Sequence, residues 1–206
     1  MTQNTVEPQL DSRDILAIDR VFRGQLQVTP ELISDLPEGD MERAQLIAAH
    51  YGFRLEVLHI HHEGEDRLLG PRLGQRAPVQ GPLVERLEAP HVRIAELVPQ
   101  VQNGLLTWSA SADSAEVKEL HGLIQDLTTT LAAHLGEEEQ SILSLAAEPL
   151  SVEEWDQLSR EGTGSVAPDQ LPIVIERVRE YTPDFPFPRR GHPCGPRAAK
   201  PPSTPT

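Results

Sequence analysis

A single cysteine, Cys194, stands among 206 residues, which excludes an internal disulfide framework and any cysteine-rich zinc or iron–sulfur site. Aromatic residues are scarce as well, at 4% against 38% hydrophobic residues overall. Strands favour aromatic and β-branched side chains, so this composition suits packed helices better than a β-sandwich. No run of about 18 apolar residues occurs, so no helical membrane span is expected. The opening string MTQNTVEPQLDSRD lacks a basic stretch followed by an apolar one. A cleaved export signal is therefore not expected, and the chain reads as cytoplasmic. Positive charge is in deficit: 18 Lys and Arg face 32 Asp and Glu, for a net charge of −14. Phosphate backbones and anionic membranes would be repelled, which argues against nucleic-acid and membrane partners. Also missing are a GxSxG elbow, a Walker loop and a Rossmann glycine fingerprint, so hydrolase or transferase chemistry has no motif to rest on.

Proline, by contrast, is abundant and unevenly placed. Eight of the nineteen prolines fall between Pro183 and Thr206, with Arg189, Arg190, Arg197 and Lys200 against one acid, Asp184. Proline fixes φ and removes amide donors, so residues 183–206 are expected to form a disordered tail. His192 and Cys194 sit there in the string GHPC. Two ligands on a proline-rich strand make a weak metal site, and the tail reads as inert. The expected organisation is a flexible N-terminus over 1–11, a helical domain over 12–160, an extension with a short helix over 161–182, and the tail.

Periodicity supplies the helices. Residues 12–27 place Ile15, Ile18, Phe22 and Leu26 on one stripe. Asp40, after Pro37 and Gly39, is a natural N-cap for a second helix through Leu46, Phe53 and Val57 to about Leu69, with a stop at Gly70-Pro71. A third stripe runs through Leu83, Leu87, Ile94, Val98, Val101 and Leu105 to the polar Ser109–Ser111. Pro90 and Pro99 fall inside it, so that helix is expected to be kinked or split. Asp113 and Glu116 have capping-box spacing before Leu120, Leu127, Leu131, Ile142 and Leu145, and this fourth helix is expected to last until Pro149. Ser151 and Glu154 repeat the box ahead of a short helix around Trp155, and a last helix is expected over Leu171 to Tyr181. No alternating strand pattern appears. Four long helices with short to moderate links imply an all-α, up-down-up-down four-helix bundle with short C-terminal helices.

The informative residues are polar ones on the apolar stripes. Asp19 lies between Ile15 and Phe22; His50, His61 and Glu65 continue the second stripe; His91 lies between Leu87 and Ile94; His134 and Glu138 lie between Leu131 and Ile142. Each long helix thus directs a histidine or carboxylate at the bundle axis. An unpaired buried carboxylate costs several kcal/mol, so these groups need a charged partner. His61/Glu65 and His134/Glu138 have i, i+4 spacing, which puts an imidazole and a carboxylate on one face, one turn apart. Two such pairs on different helices can hold two cations, with carboxylates bridging and imidazoles terminal. Imidazole and carboxylate without thiolate suit iron, manganese or zinc. A metal-free network of hydrogen-bonded polar groups is the competing reading.

The strings HIHHEGEDRLLGPRL (59–73) and HLGEEEQSILSL (134–145) resemble the hemerythrin-like HHE cation-binding family, particularly its bacterial members. The resemblance covers roughly residues 12–160, including the EEW that ends at Trp155. It implies the order His, HxxxE, His, HxxxE along four helices, and so marks His61, Glu65, His91, His134 and Glu138 as metal ligands. His62 stands where some relatives place a further ligand. Asp19, in AIDRVFRGQL, stands where the family pattern usually has histidine. Aspartate is a competent hard ligand, and it can equally accept a hydrogen bond from a ligand's ring N–H.

His50 lies eleven residues before His61, about 16 Å along a helix, which is too far for the same centre and reads as structural. His59 and His121 fall off the stripes and read as surface or interface groups. Glu63, Asp66, Glu137 and Glu139 read as a solvated face, and Trp108 and Trp155 as core or cap aromatics. The resemblance implies a non-haem centre of two iron ions that binds or reacts with O2, peroxide or nitric oxide, for sensing, storage or detoxification. An iron- or redox-responsive regulatory module without turnover, and an oxidase of a small organic substrate, are the alternatives.

Overall fold

The computed structural model describes residues 13–76, 79, 81–145 and 151–181. The proline-rich tail from Pro183, with His192 and Cys194, lies outside them, as do the side chains of Ile15, Ile142, Leu145 and Trp155. The described residues form helix and no strand. In order they are α1 (Arg13–Ser34), α2 (Met41–Gly64), a π-helical turn (Glu65–Leu69), α3 (Gly70–Arg76), α4 (Gly81–Ser111), α5 (Ser114–Leu145), α6 (Val152–Ser165) and α7 (Leu171–Tyr181). None of these helices is long and apolar enough to cross a membrane.

The four long helices close a ring, with α1 and α4 each packed on both α2 and α5. Phe22 and Leu26 from α1, Tyr51, Leu55 and Leu58 from α2, Ile94, Leu97, Val101 and Leu105 from α4, and Ile124, Leu127 and Leu131 from α5 fill its middle. Trp108 joins them, nearly inaccessible, as a core aromatic. Burying each large apolar side chain contributes about 1.5–3 kcal/mol against the entropy of ordering it. At one end of the ring the two short turns meet: the Gly39 N–H donates to the Ala112 carbonyl at 3.2 Å. Gly39 takes a φ of +81° there, a conformation that glycine adopts without steric cost. His121 of α5 bonds the Pro30 carbonyl at 2.9 Å at the same end, which makes it the interface group its off-stripe position implied.

Several boundaries differ from the periodicity. α1 continues past residue 27 and through Pro30 to Ser34. Pro30 forfeits one backbone bond, but the extra turns bury Ile33 to 1% exposure. The stripe on α2 is Ala44, Tyr51, Leu55, Leu58 and His62, whereas Leu46 is 66% exposed. Asp40 does cap that helix, accepting the Arg43 N–H at 3.2 Å. No stop occurs at Gly70-Pro71: the chain widens into the π-helical turn and continues as α3. Proline has no N–H to lose at the start of a helix, so Pro71 is tolerated in the first turn after the widening. α4 is one continuous helix with Pro90 and Pro99 inside it. Arg86 and Ala95, whose carbonyls those prolines leave unbonded, lie on the exposed side, where water can satisfy them.

Caps also divide. Asp113 Oδ1 accepts the Ala115 N–H at 2.8 Å, but Glu116 does not complete a box; its carboxylate accepts the Ser111 hydroxyl at 2.9 Å. Ser151 and Glu154 form both arms of theirs, at 3.3 and 3.0 Å. α6 then packs against α2 and the π-helical turn, tied to the turn by Arg67–Glu161 at 2.5 Å and to α3 by Arg72–Gln157 at 2.8 Å. α7 spans the expected residues and packs on α1.

Candidate metal centre

The end of the ring opposite the two turns collects the polar stripe residues. Asp19, in the N-terminal half of α1, is fully buried. His61 and His62 lie in the last turn of α2. The Gly70 N–H then reaches back five residues to the Glu65 carbonyl, the signature of a π-helical turn, a feature that often sits at functional sites. This wider turn buries Glu65 and leaves the Asp66 side chain 46% exposed. α4 supplies His91, and α5 supplies His134 and Glu138 one turn apart, all three buried.

These seven side chains form two groups, His62/Glu65/His91/His134 and Asp19/His61/Glu138, whose ligand-type atoms lie within 4.8 Å of one another in each. Glu65 faces both: Oε1 is 3.3 Å from His61 Nε2, and Oε2 is 3.7 Å from His91 Nε2. Glu138 also lies between them, its Oε2 3.4 Å from His134 Nε2. Asp19 Oδ1 is 3.5 Å from His61 Nε2. The rings of His62 and His91 stack at 4.2 Å and 16°, and His134 stands edge-on to His91 at 4.6 Å. Phe22 tilts against His61 at 5.4 Å, an apolar wall on that side.

The protein alone does not satisfy these groups. Both Asp19 oxygens, both Glu65 oxygens, Glu138 Oε2, His61 Nε2 and His62 Nε2 are buried and make no well-formed hydrogen bond. Native interiors rarely leave so many polar atoms unmatched in one place. A metal-free hydrogen-bonded network would pair them, so the geometry speaks against that reading. Burial pushes the Asp19 carboxyl up to about 8, with Glu139 adding to the rise and Arg23 opposing it. Burial and then the charges of Glu138 and Asp19 raise Glu65 well above the usual carboxylate range. Glu138 rises for the same two kinds of reason, burial and Asp19. The imidazoles move the other way. Burial and the neighbouring rings hold His62 well below its ordinary value and bring His134 to about 3, and burial lowers His61. Carboxylates that resist ionising beside imidazoles that resist protonating form a site short of positive charge. Oxygen and imidazole donors converging on that deficit fit a divalent cation, and the donor set fits iron, manganese or zinc.

All seven sequence-selected residues therefore meet at one end of the ring. His50 does not; it is exposed on α2 beside Arg54. His59 pairs with Glu63 at 3.4 Å on the surface. Glu139 is not simply solvated, since it pairs with Arg23 at 3.3 Å across α1 and α5, and Glu137 pairs with Arg86 at 2.5 Å. Asp66, read as part of a solvated face, is 46% exposed and lies outside both groups, yet it has a partner. It is no free surface acid: its Oδ1 lies 2.6 Å from His91 Nδ1. No spacing along the chain signals this contact, because His91 lies 25 residues away on α4 and only the packing of the helices brings the two together.

The family model described as hemerythrin HHE cation binding domain matches residues 16–146. No curated protein and no solved structure matches the chain.

Proposed function

The chain belongs to the hemerythrin HHE cation-binding family, and we propose that its buried cluster holds two iron ions. The ring of helices is read as an up-down-up-down bundle, because the N-terminal parts of α1 and α4 meet the C-terminal parts of α2 and α5 at the cluster. Residues 12–160 are its domain, and 161–182 an extension. Iron, when bound, supplies electrons and an open coordination position for O2, peroxide or nitric oxide; manganese and zinc suit the same donors.

The remaining chemistry belongs to the chain. Asp19, His61, His62, Glu65, His91, His134 and Glu138 would hold the two ions, and Glu65 and Glu138 each face residues of both groups. Phe22 lies against His61, and the buried core residues Leu58, Ile94 and Leu131 stand about one helical turn along the chain from His62, His91 and His134, so the polar groups adjoin an apolar core that lowers the local dielectric. His62 stacked on His91 holds both rings without a hydrogen bond between them.

The observation that carries this reading is the concentration of unmatched buried ligand atoms at one end of the ring. After anaerobic reconstitution with ferrous iron and exposure to air, about two ions per chain are expected, with near-ultraviolet absorption that the metal-free chain lacks. Metal analysis returning less than roughly a tenth of that complement would overturn it. A regulatory role without turnover draws on the same charge deficit, since a fold this dependent on its cation would report metal state through its stability.

A further inference from the structure

The two groups of the cluster are unequal in composition and in support. One holds three imidazoles and a carboxylate; the other holds one imidazole and two carboxylates. In the first, His62 is stacked on His91, His134 stands edge-on to both, and the ring nitrogens of His91 and His134 approach to 3.0 Å. A carboxylate outside the group completes it, with Asp66 Oδ1 at 2.6 Å from His91 Nδ1. A carboxylate oxygen accepts, so this contact is satisfied by a proton on His91 Nδ1, which leaves the Nε2 lone pair facing Glu65 and His134. His134 has no comparable support, because its Nδ1 is buried without a partner. In the second group, His61 faces Asp19 of its own group at 3.5 Å and Glu65 of the first group at 3.3 Å, and is backed by the Phe22 ring.

We propose that Asp66 is a positioning residue that fixes His91 as a donor, and that the His62/Glu65/His91/His134 half fills before the Asp19/His61/Glu138 half. The proposal rests on the reading of the cluster as a two-cation site. Four pre-arranged donors, three of them imidazoles, favour a first-row transition ion over a set of three donors dominated by oxygen. A carboxylate that accepts the second ring N–H of a ligating histidine fixes its tautomer and raises its basicity. Asp66 does so from the wider π-helical turn, which sets Glu65 and Asp66 side by side, one inside the cluster and one behind His91. The Asp66 side chain is 46% exposed, so water can satisfy its remaining lone pairs and the arrangement needs no further buried partner.

The test is an anaerobic titration of the full-length metal-free chain with Co2+ alone, followed by visible absorption and calorimetry, beside 15N spectra of the histidine rings. The parent should bind in two steps separated by tenfold or more, and its His91 ring should be protonated at Nδ1 before Co2+ is added. Asp66→Leu should weaken the first step by about 10- to 100-fold and release His91 into a mixture of tautomers. Asp66→Asn retains an acceptor oxygen and should recover much of that loss. Asp19→Leu should abolish the second step and spare the first. One two-ion step in the parent, loss of the first step in Asp19→Leu, or an unchanged first step and tautomer in Asp66→Leu would each overturn the proposal. Absence of any Co2+ binding by the parent would overturn the two-cation reading beneath it.

Discussion

Asp19 shows how one side chain couples stability to the centre. It is fully buried, neither oxygen has a hydrogen-bond partner, and it shares its side of the helix with Ile18 and Phe22, while Arg23 one turn on is paired with Glu139. Without a cation it is an uncompensated polar group in an apolar wall, and such groups are often better replaced by hydrocarbon. Asp19→Leu is therefore expected to stabilise the metal-free protein by about 1–4 kcal/mol while lowering its capacity for cations. Chemical denaturation of parent and variant after chelation reads the first effect, and metal analysis after reconstitution the second. A metal-free Asp19→Leu no more stable than the parent would mean that Asp19 is already satisfied. The stripe position of Asp19 was legible because a carboxylate stood where a leucine was due. His62 was harder to place, because His61 and His62 are adjacent and a helical wheel separates them by only about 100°. Packing resolves them: Leu55, Leu58 and His62 face the core, and His61 reaches the cluster from its edge.

Among the elements, helix existence and the stripes of α1, α4 and α5 were legible, whereas the face of α2 and the interruptions were not. α7 and both arms of the Ser151/Glu154 box follow local chemistry that a few adjacent residues specify. The α2 stripe misled because apolar residues lie on nearly every side of that helix, from Leu46 and Ile47 to Leu55 and Val57. Only its neighbours decide which of them are covered. The prolines of α4 do not split it, because their cost depends on whether the freed carbonyl reaches water, a property of the assembled bundle. The π-helical turn left no periodic mark at all. Close helix contact at Gly104 is a further tertiary property, and it can be measured. A Cβ at Gly104 would lie 3.0 Å from Leu120 Cδ1 across the α4–α5 contact, whereas one at Gly122 would meet nothing. Alanine normally gains about 0.8–1 kcal/mol over glycine inside a helix. Gly122→Ala should realise that gain as a higher melting temperature; Gly104→Ala should lose most of it or reverse it as Leu120 is pushed aside. Equal stabilisation by both would mean that α4 and α5 do not approach so closely at Gly104.

The whole molecule carries these charge effects as an opposed pH dependence of its metal-free and metal-loaded forms. In the metal-free fold, Asp19 is raised to about 8 from an ordinary 3.8, and Glu65 and Glu138 are raised from 4.5. Between pH 6.5 and 8 the unfolded chain has released these protons while the folded chain still holds Asp19's. The folded state then binds more protons, so its stability must fall as pH rises, by about 1.4 kcal/mol per pH unit for each proton held. Below pH 6.5 the histidines act in the other direction. His61, His62 and His134 are lowered in the fold, so the unfolded chain gains their protons and the folded chain does not. From about 6.5 down to 4.5 the two contributions oppose each other and stability should level off. Below 4.5 the carboxylates of the unfolded chain protonate as well, and stability should fall. Bound cations take the place of the carboxylate protons, so the loaded protein should not lose stability from pH 6.5 to 8 and should lose its metal on acidification. Denaturation free energies measured from pH 4 to 8 on chelated and reconstituted protein test this directly. The metal-free curve should decline above pH 6.5, and the loaded curve should lie above it with a level or rising slope. Parallel curves across pH 6.5 to 8 would show that the buried carboxylates do not exchange protons for cations, and that the charge deficit at the centre is met in some other way.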